Sequence, residues 1–332
     1  MNIFEETLES KYVKYLSLAI LFLPFVLDGL SETIYFYMAS IAALILLLFA
    51  FGETYSKRKL YKREVLTVPI VIAVEPNVSP KYALEKLFDT LETKGKLKNL
   101  KKNLKKYRNI VEDDLIFEFK GSLYDKAAVI SFMQIIHYQI TKIKQNIPNK
   151  VEFHIVYYSR PAYGFFLGYV FAKEDVVIYQ QNPDSDSFEA VADLKDREYK
   201  NETKELTKFS KELLRKDAES KTVLLGIKAS SHYINFNSPS LSGYSNVVSM
   251  VANHNGTIAK EEDWILYARE IFTSIMQLQN SYERVVIAHN MPESIAIMVG
   301  MATSNFWPVM VTQYDQGEYK EIMQLSELKC YL

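Results

Sequence analysis

The chain has 332 residues, a formal net charge of -1 and a single cysteine, Cys330. A near-neutral chain has no global field to draw it onto polymeric nucleic acid. One cysteine excludes an intrachain disulfide framework and suits a reducing compartment.

The apolar residues are unevenly spread. Ile34 to Phe51 is a run of 18 residues without a charge, and ten of them are Leu, Ile or Phe. Those ten favour insertion into a bilayer by about 3 to 6 kcal/mol. At about 1.5 Å per residue the run would span roughly 27 Å, close to the hydrocarbon thickness. A shorter apolar run, Tyr15 to Leu27, precedes it between Lys14 and Asp28. Pro24 within that run is tolerated where a neighbouring helix or water meets the freed carbonyl. The pair predicts a transmembrane helical hairpin in residues 1–55, with spans at 12–30 and 34–51. A signal peptide would need a basic start, and this start is acidic, with Glu5, Glu6 and Glu9. A buried helical hairpin of a soluble protein is the other reading. Unbroken apolarity around the second run argues against it. Residues 56–64 form a basic linker containing Lys57, Arg58, Lys59, Lys62 and Arg63. By the positive-inside rule that side is cytosolic, and two spans put both termini there.

From residue 65 the pattern changes. Val65 to Glu75 is a near-continuous apolar, β-branched run, the signature of a strand buried on both faces. A helix is predicted over 80–93, a strand over 115–119 and a helix over 124–145. A strand over 151–158, a helix over 162–172 and a strand over 176–181 follow. Residues 184–221 are polar and read as a mostly helical connector, with a surface helix over 202–216. The alternation then resumes with a strand (222–229), a long helix (261–280), a strand (284–288), a helix (292–303) and a strand (308–313). Such alternation predicts a layered α/β domain.

The two stretches echo one another. FHIVYYSRPAYGFFLGYVFAKEDVVIYQQ and RVVIAHNMPESIAIMVGMATSNFWPVMVTQY each read as strand, Pro-containing turn, helix with a central Gly, and strand. Aligning Gly168 with Gly300 puts Gln181 on Gln313. A glycine at that place predicts close packing of helix on sheet. The echo predicts a pseudo-duplicated domain with halves at 65–183 and 222–325.

The segment IAHNMPESIAIMVGMATSNFWPVMVTQYDQGEYKEIMQL, with HIVYYSRPAYGFFLGYVF and LLGIKASSHYINFN, resembles the SAVED family. SAVED domains are fusions of two CARF-like, Rossmann-like halves found in the bacterial antiphage systems called CBASS. The resemblance covers about 65–325. This chain departs from it at His289-Asn290, where a small residue is usual before the turn. The resemblance implies a receptor for a cyclic di-, tri- or tetranucleotide made by a partner nucleotidyltransferase. It implies association into a homo-oligomer that activates the fused effector, here the membrane hairpin. With that hairpin the chain resembles membrane-anchored SAVED effectors of the bacterial inner membrane, acting on the lipid bilayer as a pore or disruptor.

In open α/β sheets ligands sit beyond the carboxyl ends of strands. Those ends supply Glu75 and Asn77, then Tyr158, Ser159 and Arg160, then Ser230, Ser231 and His232, then His289 and Asn290. Arg160, Ser230 and Ser231 suit phosphates, Tyr158 and His232 suit stacking, and Asn77 and Asn290 suit base edges. Gln181 and Tyr314 follow later strands. Polar residues at strand ends also satisfy turns, which is the alternative for each.

KGKLKNLKKNLKKYR, residues 94–108, carries eight positive charges and no acid. It reads as a solvated amphipathic helix, as a contact with anionic headgroups, or as a phosphate-binding helix. No GxGxxG, Walker A, HExxH or GxSxG pattern is present. The five His are scattered without metal-ligand spacing, so no metal, cofactor or catalytic residue is expected. A membrane-tethered nucleotide-processing α/β enzyme, phosphodiesterase-like, remains the alternative.

Overall fold

The structure is a computed structural model. It describes residues 65–74, 79–94, 97–122, 124–147, 149–158, 160–182, 187–254, 256, 258–303 and 308–331, with scattered helical positions between Tyr37 and Tyr55. The first expected span, most of the second and the basic linker lie outside the described residues. Among the described residues no helix is long and apolar enough to cross a membrane.

The β-branched run after residue 64 forms β1 (Val65–Val74), buried from Val68 to its end. It is followed by α1 (Pro80–Lys94), α2 (Leu100–Arg108), β2 (Ile116–Phe119), α3 (Lys126–Gln145) and β3 (Lys150–Tyr158). Next come α4 (Pro161–Phe171), β4 (Asp175–Asn182) and β5 (Ser187–Asp193). These strands make one sheet in the order β2-β1-β3-β4-β5. The β1/β2 and β3/β4 pairs are parallel, and β5 closes the sheet antiparallel to β4.

The remaining elements are β6 (Phe209–Arg215), β7 (Thr222–Lys228), the one-turn α5 (Pro239–Ser242), β8 (Val247–Ala252) and α6 (Trp264–Gln279). They end with β9 (Arg284–His289), α7 (Glu293–Thr303), β10 (Val309–Asp315) and β11 (Glu318–Gln324). The second sheet runs β11-β10-β9-β7-β8-β6, with parallel central pairs and antiparallel strands at both edges. The expected alternation therefore becomes two α/β sheets. Asp125 starts α3 by accepting the amides of Ala127 and Ala128, and Asp263 starts α6 by accepting that of Leu266.

Three sequence expectations need correction. The connector holds no helix over 202–216. Phe209 to Arg215 instead forms an edge strand on β8. Lys, Glu, Leu and Arg favour helix locally, but the buried Glu270 carboxylate accepts the amides of Thr207, Lys208 and Phe209 and draws this segment onto the sheet. The strand β8 was not expected. It is Val-rich and pairs in parallel with β7.

The third correction concerns the glycines. They serve the contact of one helix with another. A Cβ on Gly168 would lie 2.1 Å from the carbonyl oxygen of Ile297 and 2.5 Å from the amide of Met301. One on Gly300 would lie 2.2 Å from the carbonyl oxygen of Phe165. Gly164 meets Ala296 and the backbone of Glu293 in the same way. Small residues four apart on both helices thus let the backbones of α4 and α7 touch. Both helices are apolar all round, and both are buried, α4 from Ala162 to Gly168 and α7 from Ser294 to Met301. Each also reaches the other half's sheet, α4 at β10 and α7 at β3 and β4.

The basic run resolves in part. On α2, Leu100 and Leu104 are buried, and Lys101 sits 2.8 Å from Glu112. One face belongs to the core and the other carries lysines.

Replacing Gly168 with Ala is expected to destabilise the protein by about 2 kcal/mol or more. The gain in helix propensity is only about 1 kcal/mol, and a methyl group against fixed backbone costs more. Gly243→Ala, where nothing lies within 4 Å, should stay within about 0.5 kcal/mol. Denaturant midpoints of the two variants check this.

Candidate functional site

The touching helices bring the turns of both halves together. Contacts advance in step along α4 and α7, from Gly164 with Glu293 and Ala296 to Gly168 with Ile297 and Met301. The two helices therefore start on the same side. That side is the carboxyl end of β3 and β9, since each helix follows its strand through a short turn. A cleft of about 600 Å³ opens there. Its lining mixes Arg160 and Gln180 of the first half with His232, His289, Glu293 and Tyr314 of the second.

Several turns are pinned by hydrogen bonds. The Tyr157 hydroxyl donates to the carbonyl of Arg160 at 2.7 Å. Burial, and then the Glu293 carboxyl, push the Tyr157 phenol well above its ordinary pKa. The Gln313 side chain lies across the two halves. Its Oε1 accepts the amide of Ala162 at the start of α4 at 3.4 Å, and its Nε2 donates to the carbonyl of Tyr314 at 2.8 Å. Asn290 joins two strand ends. Its Oδ1 accepts the amide of Ala229 at 2.9 Å and its Nδ2 donates to the carbonyl of His232.

Two other groups in the cleft have buried polar atoms with no partner among the described residues. His289 is 5% exposed, packs its ring edge on Phe165 and has neither ring nitrogen hydrogen-bonded. Burial pushes its pKa down to about 4. Gln180 Oε1 is likewise buried without a partner. Glu293, in the first turn of α7, has its carboxyl pKa raised by burial. At the rim Tyr233 is 76% exposed, and Tyr314 is half exposed with its ring centroid 5.1 Å from that of Tyr319. Asp315 sits just beyond. Lys320, at 2.8 Å, holds its carboxyl below the usual range, with Tyr124 and Arg160 assisting.

Of the residues expected from sequence, Arg160, Ser230, His232, His289, Asn290 and Tyr314 line the cleft. Glu75, Asn77 and Ser159 lie outside the described residues. Three others do not line it. Tyr158 turns its ring to Phe188, 6.1 Å away between centroids. Ser231 is exposed beside the cleft, between two lining neighbours. Gln181 faces away because Gln180 faces in, and neighbours on a strand point oppositely. Asn290 lines the cleft, but its amide is spent on backbone groups, so it shapes a turn.

Sequence reasoning missed Gln180, Gln313, Tyr233 and Glu293. The duplication held a signal for the first. Both β4 and β10 shift register against their antiparallel neighbours, between Ile178 and Tyr179 and between Val311 and Thr312. Counted from those bulges, Gln180 corresponds to Gln313. Among the described residues, no group of three or more His, Cys, Asp or Glu is placed to hold a metal ion.

Comparison with known proteins bears on the fold. Residues 195–325 match the family SAVED, the SMODS-associated and fused to various effectors sensor domain. Two solved structures of the Acinetobacter baumannii Cap4 SAVED/CARF-domain containing receptor share the fold. The one with the cyclic trinucleotide 2'3'3'-cAAA has 14% identity and a TM-score of 0.51, and the match covers 88% of this chain and 59% of that one. The one with 3'3'3'-cAAA has 12% identity and a TM-score of 0.51, covering 95% and 78%. No curated protein matches this chain in sequence. The sequence match thus lies in the second half, and the likeness of fold extends over both.

His289 makes folding sensitive to acid. Its pKa is about 4 in the fold against 6.5 for the free side chain. Between those values the unfolded chain binds the proton and the folded one does not. The stability is therefore fully present above pH 6.5 and is lost as pH falls toward 4. His289→Leu should remove up to about 3 kcal/mol of that pH dependence. Urea unfolding of both proteins at pH 7 and pH 4.5 measures it.

Proposed function

We propose that the protein is a receptor for a cyclic oligonucleotide, bound in the cleft at the strand ends and serving antiphage defence. The observation that carries this reading is the cleft itself. It is assembled from both halves of a SAVED/CARF fold. It also holds buried polar atoms with no partner among the described residues. The Cap4 receptors that share the fold were solved with cyclic trinucleotides, and that ligand class suits the tyrosines at the rim and the polar groups on the floor.

The apolar runs at 12–30 and 34–51 anchor the chain in the bacterial inner membrane, with both termini cytosolic. A partner nucleotidyltransferase makes the ligand. Binding brings protomers together, and the gathered hairpins breach the bilayer without enzymatic turnover. A ligand drives such assembly only by binding the assembled state more tightly than the free protomer.

Calorimetric titration of the full-length protein in detergent with 3'3'3'-cAAA and other cyclic di-, tri- and tetranucleotides tests the receptor step. At least one should bind in a one-to-one protomer ratio, and silence from all of them would sink the reading. Dye-filled liposomes bearing the protein test the second step. Release should occur only when the bound ligand is added, and bound ligand without release would remove the membrane breach.

A further inference from the structure

We infer that the cleft chooses its ligand by base edges, with Gln180, His289 and Glu293 as the reading groups, and leaves most of the phosphate charge to solvent. This rests on the receptor reading above and adds the basis of its selectivity.

The first observation is charge. Among the described residues lining the cleft there is one arginine, Arg160, no lysine, and one carboxyl, Glu293. Arg160 also lies in the field of Asp315. A cyclic oligonucleotide carries one negative charge per nucleotide. One shared cation cannot neutralise two to four of them.

The second observation is what the floor offers instead. Both nitrogens of His289 and Oε1 of Gln180 are buried without partners. Burying a polar atom is costly until something bonds to it. The imidazole is neutral at pH 7, so it presents one N–H and one lone pair. That pairing suits a base edge, which carries donors and acceptors side by side. A phosphate only accepts. The Glu293 carboxyl keeps an oxygen able to accept from an exocyclic amino group whether or not it carries a proton, and it supplies no positive charge for phosphate. Tyr233 and Tyr314 at the rim give bases a face to stack on.

The test titrates full-length protein in detergent with the all-adenine cyclic trinucleotide and with rings carrying guanine or uracil in its place. Wild type should separate the preferred ring from the others at least tenfold. His289→Leu and Glu293→Gln should narrow that to under threefold, while Arg160→Ala weakens all rings by one common factor. Raising salt from about 50 to about 200 mM should cost about fourfold in affinity at most, as one neutralised phosphate allows. The melting temperature of His289→Leu should equal or exceed that of wild type, because it removes a buried unpartnered group. A fall of several degrees would make His289 a structural residue and overturn its part. Undiminished discrimination in both variants, a wild type without discrimination, or a hundredfold loss in salt would overturn the inference while leaving the receptor reading in place. Failure of every ring to bind wild type would remove both.

Discussion

The architecture depends on one contact, the meeting of backbones where α4 crosses α7. At Gly168 and Gly300 there is no room for a side chain on either helix, because the space a Cβ would take is held by the other helix's peptide groups. Dispersion forces fall steeply with distance, so this approach gains contacts that larger residues would forfeit. It also sets where everything else goes. Two helices that touch from their first turns onward must begin side by side. The strand that leads into each must then deliver its last residue to the same place. Arg160 from one half and His289 from the other line a single cleft for that reason.

Much of this was legible in sequence because period and composition follow burial. The strand at Val65 and the apolar helices at α4 and α7 needed no knowledge of their neighbours. The duplication was visible too, since the two halves repeat one supersecondary unit. What escaped depended on distant partners. Residues 209–215 favour helix by themselves, and distant partners, the ladder to β8 and the Glu270 carboxylate brought from α6 to their first residue, make them a strand. The glycines were recognised as close-packing positions, but their partner was taken to be a sheet. A repeat shows that two units are alike without showing that they embrace.

The site divides in the same way. The rule that ligands gather at strand ends names Arg160, His232 and His289, which do line one cleft, because it needs only topology. Tyr158 and Gln181 also sit at strand ends but do not line the cleft, because there the question is which way a side chain points. A bulge displaces that answer by one residue, and the displacement is invisible in a string of letters. Asn290 shows a further limit. It lines the cleft, but its amide is consumed by the backbone of Ala229 and His232. Whether a polar group is available is a property of its neighbours.

That distinction explains why the cleft holds both kinds of group. Asn290 and Gln313 are satisfied, and each ties together chain segments that would otherwise separate. Tyr157 does the same for the turn that carries Arg160. These residues build the cleft. Both ring nitrogens of His289 and Oε1 of Gln180 are buried in a neighbourhood able to satisfy polar atoms, yet they have no partner among the described residues. An apolar residue in place of His289 would cost the fold less, by the penalty for an unmet imidazole. The cleft thus keeps an unfavourable group at its floor, and a molecule that bonds to it recovers in binding what folding gave up. Because His289 belongs to the second half and Gln180 and Arg160 to the first, an occupant that reaches all of them bridges the two sheets. Its binding energy can then favour one arrangement of the halves over another, which is the physical requirement for a receptor that signals beyond its own site.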